Sequence, residues 1–180
     1  MHNRTPRMPE RPAPNRAELD ARFTVELASA LTGARRRALR DGDRQIDTAH
    51  LLHSLIEADP EVREVFHGGP RPARVLGYLA QRSIGYGLRW RGSVEDSGAV
   101  PAIRARADDG WSPSALAALE DARHRAASHG EARAAGLDLL AALAADPECR
   151  AVEVLSRAGV DVRWLAGRVA VLTADAARHA

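Results

Sequence analysis

The chain has 180 residues, enough for one domain with a real core or two very small ones, and at 45% hydrophobic and 28% charged it has the composition of an ordinary globular protein. All 26 basic side chains are arginine, so the phosphate-gripping lysine of a P-loop, Schiff-base chemistry and a Ser-Lys dyad are excluded. A formal charge of +2 gives no independent argument for a nucleic-acid binder, and the single cysteine, Cys149, excludes an intrachain disulfide and a C-x-x-C site.

Residues 1–20 read as a disordered Pro/Arg-rich tail. Met1–Arg16 holds four prolines and four arginines and lacks the roughly 7–15 apolar residues of a signal peptide. No window approaches the roughly 20 apolar residues of a membrane span, so a cytoplasmic location without membrane contact is expected.

From Phe23 onward the chain repeats itself. FTVELASALTGARRRALRDGD aligns without a gap on WSPSALAALEDARHRAASHGE from Trp111, and Ala30, Leu31, Ala34, Arg35, Arg37, Ala38 and Gly42 recur 88 positions later. Leu51, Leu52 and Leu55 fall on Leu139, Leu140 and Leu143 in the same register; one deletion later, Asp59-Pro60-Glu61 falls on Asp146-Pro147-Glu148. The boundaries that follow are repeat 1 over 21–84, an inter-repeat segment over 85–110, repeat 2 over 111–173 and a short C-terminal tail over 174–180.

Each copy is predicted to contain four helices. The first has Leu27, Leu31, Ala34 and Ala38, or Leu116, Leu119, Ala122 and Ala126, on one face, with Thr24 and Ser112 at the N-caps and Gly42 and Gly130 at the ends. The second is apolar, with Thr48 and Gly136 at the cap positions. Asp59 and Asp146, each followed by proline, are placed as caps of the third helices. The fourth run over about 73–84 and 161–172, carrying Gly77 and Gly167. The segment 85–110 contains Trp90 between two arginines and a Glu95-Asp96 pair; it is long for a connection within a compact domain, and such loops are functional or disordered.

The order of these signals resembles the N-terminal repeat domain of the Clp unfoldases, as in ClpA and ClpC, over about Ala21 to Thr173. In that family two copies of a unit open with Phe-Thr and continue to a Gly-Thr-Glu-His-hydrophobic-Leu-Leu segment. Here Phe23-Thr24 leads to Thr48-Ala49-His50-Leu51-Leu52, and Trp111-Ser112 leads to Gly136-Leu137-Asp138-Leu139-Leu140. The resemblance implies an all-α fold of two pseudo-symmetric four-helix repeats, eight helices in total. It also implies a non-enzymatic module for proteins or peptides: a Clp ATPase, its adaptors or substrates, or a cyclic peptide directed at ClpC. Without an ATPase segment in the sequence, the expected role is that of a stand-alone adaptor or decoy.

The resemblance places partner binding at Phe23, Thr24, Trp111 and Ser112. The glutamate that helps ClpC-like members read the guanidinium of phosphoarginine is replaced by Ala49 in one copy and Leu137 in the other, so recognition of that tag is expected to be lost or weak.

Other candidates have plainer readings. His50 and His53, with Glu57 a turn on, have a spacing that suits a metal, but His50 matches a family packing residue, so no metal or cofactor is expected. His124 and His129 share no helical face. Cys149 near a helix start reads as a small buried residue, and Ser112 and Ser114 lack a nucleophile elbow. The Arg35-Arg36-Arg37 run, with the N-terminal tail, supports an alternative as a nucleic-acid-associated regulator, although such side chains fan around a solvated face. Trp90 either stacks on a partner or folds back on the core, and Trp164 is expected in the core.

Overall fold

The computed structural model of the protein describes residues 21–82, 89–97 and 110–180. Among these residues the fold is all-α, with two single-residue bridges as the only extended pairings. Repeat 1 supplies α1 (Val25–Asp41), α2 (Thr48–Ala58), α3 (Pro60–Val65) and α4 (Pro72–Ala80). Repeat 2 supplies α5 (Pro113–Ser128), α6 (Gly136–Ala144), α7 (Arg150–Arg157) and α8 (Val162–His179). The expected tail over residues 1–20 lies outside the described residues.

The opening helices form as their sequences dictate. The Thr24 hydroxyl accepts from Leu27 N at 3.4 Å and that of Ser112 from Ala115 N at 3.0 Å, while Pro113 occupies the first turn of α5. Gly42 ends α1 at φ 69°, where the left-handed backbone lets its N–H reach Ala38 and Leu39 carbonyls. The small-residue stripes of α1 and α5 let α2 and α6 pack closely, and Leu51, Leu52, Leu55, Leu139, Leu140 and Leu143 are fully buried. Each such leucine contributes about 1.5–3 kcal/mol of hydrophobic stabilisation.

The two repeats clasp each other reciprocally. Phe23 bridges to Ala134 and Ile46 bridges to Trp111; moving each residue of the first pair to its equivalent in the other repeat, 88 positions away, generates the second. Thr24 N donates to Ala134 O at 3.0 Å, and Ser112 N donates to Ile46 O at 2.9 Å. The helix packing follows the same rule: α2 of one repeat meets α7 of the other, and α6 meets α3. This is the reciprocity of a two-fold dimer, built within one chain.

Several boundaries differ from the sequence expectation. Asp47, not Thr48, is the N-cap of α2, because its carboxylate reaches His50 N while His50 Nδ1 returns to Asp47 N; Thr48 is thereby freed to face repeat 2. In repeat 2, Ala135 stands at the cap position and Gly136 is the first helical residue, with Asp138 Oδ2 accepting from Ala135 N at 2.8 Å. Asp59 caps α3 as expected. Asp146 does not cap α7: its carboxylate closes a turn on Glu148 N, and the helix begins only at Arg150, with Cys149 at its N-cap. The helix α4 stops at Ala80 rather than continuing toward residue 84, whereas α8 runs on to His179 through the stretch assigned to a tail. Among the described residues no helix is long and apolar enough to cross a membrane.

Candidate functional site at the junction of the repeats

The polar side chains buried between the repeats gather where α2, α5 and α7 begin. Asp47 is 1% exposed and accepts from Arg82 Nη2 at 2.7 Å, Arg82 Nη1 at 3.3 Å and Arg150 Nη1 at 2.9 Å. Burial works to raise its pKa, but hydrogen bonding with His50 and the Arg82 guanidinium outweigh that, holding the carboxyl well below its usual range. For Arg82, burial lowers the pKa and the Asp47 charge more than restores it.

The inter-repeat segment crosses this cluster as a strap over residues 89–97. Trp90 folds back on the core: its Nε1 donates to Glu153 Oε2 at 3.1 Å, and the Arg82 and Arg150 guanidinium groups lie 5.4 and 5.1 Å from its ring centroid. Arg150 Nη2 donates to Ser93 O at 3.2 Å and Ser93 Oγ at 3.0 Å, and Gln45 Nε2 donates to Ser93 O at 2.8 Å.

Glu95, 4% exposed, points inward from the strap. Its carboxylate accepts from Thr48 N at 2.9 Å, Ser112 Oγ at 2.8 Å and Arg150 N at 2.7 Å, and also from the Thr48 hydroxyl. Thr48 Oγ1 in turn accepts from Ala151 N at 2.9 Å, so the first two N–H groups of α7 are satisfied from outside repeat 2's own four helices. Burial, followed by the negative charge of Asp47, raises the Glu95 pKa, and the hydrogen bonds from Thr48 and Arg150 oppose the rise.

The same place on the other side of the pseudo-two-fold is filled differently. There the cap of α3, Asp59, lies directly against Gly136 at the start of α6, and burial raises its pKa. A Cβ at position 136 would collide with the Asp59 carboxylate, which is why glycine stands there. On the α7 side Asp146 has turned away, and a carboxylate from the strap substitutes for it.

Beside the strap lies a cavity of about 800 Å³ whose walls include Arg44, Arg82, Trp90, Arg91, Trp111 and Arg150. Of the residues singled out from sequence, only Trp111 lines it; Ser112 is buried on Glu95, and Phe23 and Thr24 occupy the equivalent position across the molecule. Phe23 and Trp111 are 6% and 8% exposed, and the Arg35 guanidinium covers the Trp111 ring at 5.6 Å from its centroid. Ala49 and Leu137 are buried in the core and offer no carboxylate to a guanidinium.

The remaining candidates find structural partners. His53 Nε2 lies 3.2 Å from Glu57, and burial, then the charge of Arg37, lowers its pKa to about 4. His50 Nε2 meets Asp43 at 2.8 Å, and repeat 2 has His129 to Asp138 at 2.9 Å, with the acid at the position of His50 and the histidine at that of Asp41. Donor atoms of Asp41, Asp43 and His50 lie within 4.8 Å of one another, but Arg82 Nη2 at 3.6 Å from Asp43 supplies positive charge there. His124 is exposed and Trp164 is half-buried, its ring over Gly69. Arg37 pairs with Glu57 at 2.5 Å, leaving Arg36 as the exposed member of the basic run. Cys149 is buried, which pushes its thiol up to about 12.

Sequence reasoning missed Asp47, Arg82 and Arg150 and gave Glu95 no role. Asp47 carried a usable signal, since aspartate is a stronger N-cap than the threonine after it. Arg82 and Arg150 carried none.

No protein-family model matches the sequence, and no curated protein matches it. Solved structures do. The N-terminal domain of the caseinolytic-protease-associated chaperone ClpD from Arabidopsis thaliana matches at TM-score 0.60 and 19% identity, covering 83% of this chain and 96% of that one. The Hsp104 N-terminal domain from Candida albicans matches at TM-score 0.61 and 14% identity, covering 82% and 89% respectively. With the reciprocal clasp of two four-helix repeats, these matches show that the chain has the fold of the Clp N-terminal domains.

Proposed function

We propose that this protein is a non-enzymatic interaction module that receives peptide segments at the junction of its two repeats and works with a Clp ATPase, as an adaptor or as a decoy for its ligands. The observation that carries this reading is the Clp N-domain fold combined with a cavity of about 800 Å³ at the inter-repeat junction. Peptides, adaptors and ClpC-directed cyclic peptides are the ligand classes of choice. Phosphoarginine is expected to bind weakly or not at all, because positions 49 and 137 are buried alanine and leucine.

The nucleic-acid alternative gains no support from the arginine run, since Arg35 lies over Trp111 and Arg37 pairs with Glu57. Nor does an enzymatic reading from the junction, whose titratable groups are committed to one another as ion pairs and caps.

The test is capture of partners from nuclease-treated cognate lysate, read by mass spectrometry against an Arg44→Glu/Arg91→Glu variant. Both arginines are exposed on the cavity wall, so the variant keeps the fold, whereas removing the buried Trp111 would damage it. Clp subunits, adaptors or a defined substrate set should be enriched with the wild type and lost with the variant. Equal recovery by both proteins would place binding elsewhere. In a separate titration, phosphoarginine should give no saturable response below millimolar concentration.

A further inference from the structure

The strongest unexplained feature of the junction is that one of its two buried carboxylates, that of Glu95, belongs to no helix and caps none from its own segment. Four donors converge on the Glu95 carboxylate: two from Thr48, one from Ser112 and one from the backbone of Arg150. These donors are fixed without the strap, because Thr48 N and Arg150 N are the first N–H groups of α2 and α7, and Ser112 is held by its own capping bond to Ala115 N. The strap contributes only the acceptor. It carries the carboxylate on an irregular segment in which Val94 is 68% exposed, and its backbone is held by the side chains of Gln45 and Arg150 and by Ser114, whose N–H donates to Glu95 O and whose hydroxyl accepts from Ser97 N.

A carboxylate stands at this place on both sides of the pseudo-two-fold, from two different covalent sources. At the equivalent junction the occupant is Asp59, the integral cap of α3. At this one it is a side chain 55 residues distant from Arg150 in sequence. The cavity next to Glu95 carries Arg44 and Arg91 together with Asp41, Asp43 and Asp96, so its wall is mixed in charge and the selection for an acidic side chain lies in the donor set of the cradle.

We propose that the cradle formed by Thr48, Ser112 and the Arg150 backbone is a carboxylate-binding site occupied in cis by Glu95, and that an acidic side chain of a partner peptide enters it by displacing the strap. The partner is thereby defined as a peptide bearing glutamate or aspartate, and the strap is its internal competitor. This deepens the interaction-module reading and rests on it for the partner, but the cradle itself can be tested without one.

In Glu95→Ala the cradle has lost its acceptor, so sodium acetate should raise the melting temperature by about 2–4 °C over sodium chloride at equal ionic strength, while the wild type shows no acetate-specific shift. The amide resonances of Thr48 and Arg150 should move with acetate in the variant alone. Acetyl-hexaglutamyl-amide should then displace the strap of the wild type, shifting fluorescence in a way that is lost in Trp90→Phe.

Should Glu95→Ala fail to fold, Glu95→Gln has the same shape and should bind the hexaglutamate peptide about tenfold more tightly than wild type, since its internal competitor is weakened. A folded Glu95→Ala without acetate-specific stabilisation or amide shifts would overturn the cradle. Acetate rescue combined with a wild type indifferent to the peptide would overturn displacement and leave Glu95 a fixed cap. Neither result depends on the lysate capture, which judges the module reading separately.

Discussion

Replacing Asp47 with alanine should expose how much the junction depends on one carboxylate. The side chains of Arg82 and Arg150 that it bridges are 10% and 8% exposed, so its loss leaves two guanidinium groups buried against a void. Breaking a buried pair by removing one partner costs about 3–5 kcal/mol. The loss of the α2 cap is part of the same event, since Asp47 Oδ1 also accepts from His50 N. Against a total stability of about 5–15 kcal/mol this is a large fraction, and at about 2–4 °C per kcal/mol it lowers the melting temperature by on the order of 10 °C. Urea unfolding at pH 7, followed by far-UV circular dichroism, measures it directly. Asp175→Ala removes a partner of the exposed Arg178 and should change stability by less than about 1 kcal/mol. The double variant Asp47→Ala/Arg150→Met should lose less than the sum of its singles, because the second change removes a cation that the first had stranded. If Asp47→Ala lies within about 1 kcal/mol of wild type, the junction is wet and the buried-pair argument is wrong.

Other expectations follow from the same geometry. His53 is held neutral with its pKa lowered from 6.5 to about 4, so the unfolded chain binds the proton first; stability should fall as pH drops from 6.5 to 4, by about 1–2 kcal/mol after allowance for solvent, and His53→Gln should flatten that slope in pH-dependent urea titrations. Gly136→Ala drives a Cβ into the Asp59 carboxylate and should cost about 1–3 kcal/mol in a thermal melt. Gly77→Ala meets nothing within 4 Å in the exposed part of α4 and should instead stabilise by up to about 1 kcal/mol. Cys149, with its thiol pushed up to about 12, should resist a thiol reagent at pH 8 until the protein unfolds; prompt labelling of native protein would contradict its burial.

The repeat architecture was legible because it rests on local rules: apolar stripes at helical spacing, caps at Thr24, Ser112 and Asp59, and a left-handed glycine at Gly42. Where local signals competed, sequence reasoning chose wrongly. Thr48 is an acceptable cap, but the Asp47–His50 capping box is better, and it releases Thr48 to serve the opposite repeat. Asp146-Pro147-Glu148 copies the α3 signal but makes only a turn, and α7 starts three residues after Pro147.

Order along the chain therefore determined the helices and the duplication, both of which follow from residue type and short spacing. Tertiary structure alone decided which polar groups meet. Asp47 and Arg150 are 103 residues apart, and Glu95 is 47 residues from Thr48 and 55 from Arg150. These contacts exist only after the repeats clasp through Phe23–Ala134 and Ile46–Trp111. A buried charge is tolerable only where its partners have already been brought together, and that is a property of the assembled junction rather than of any segment.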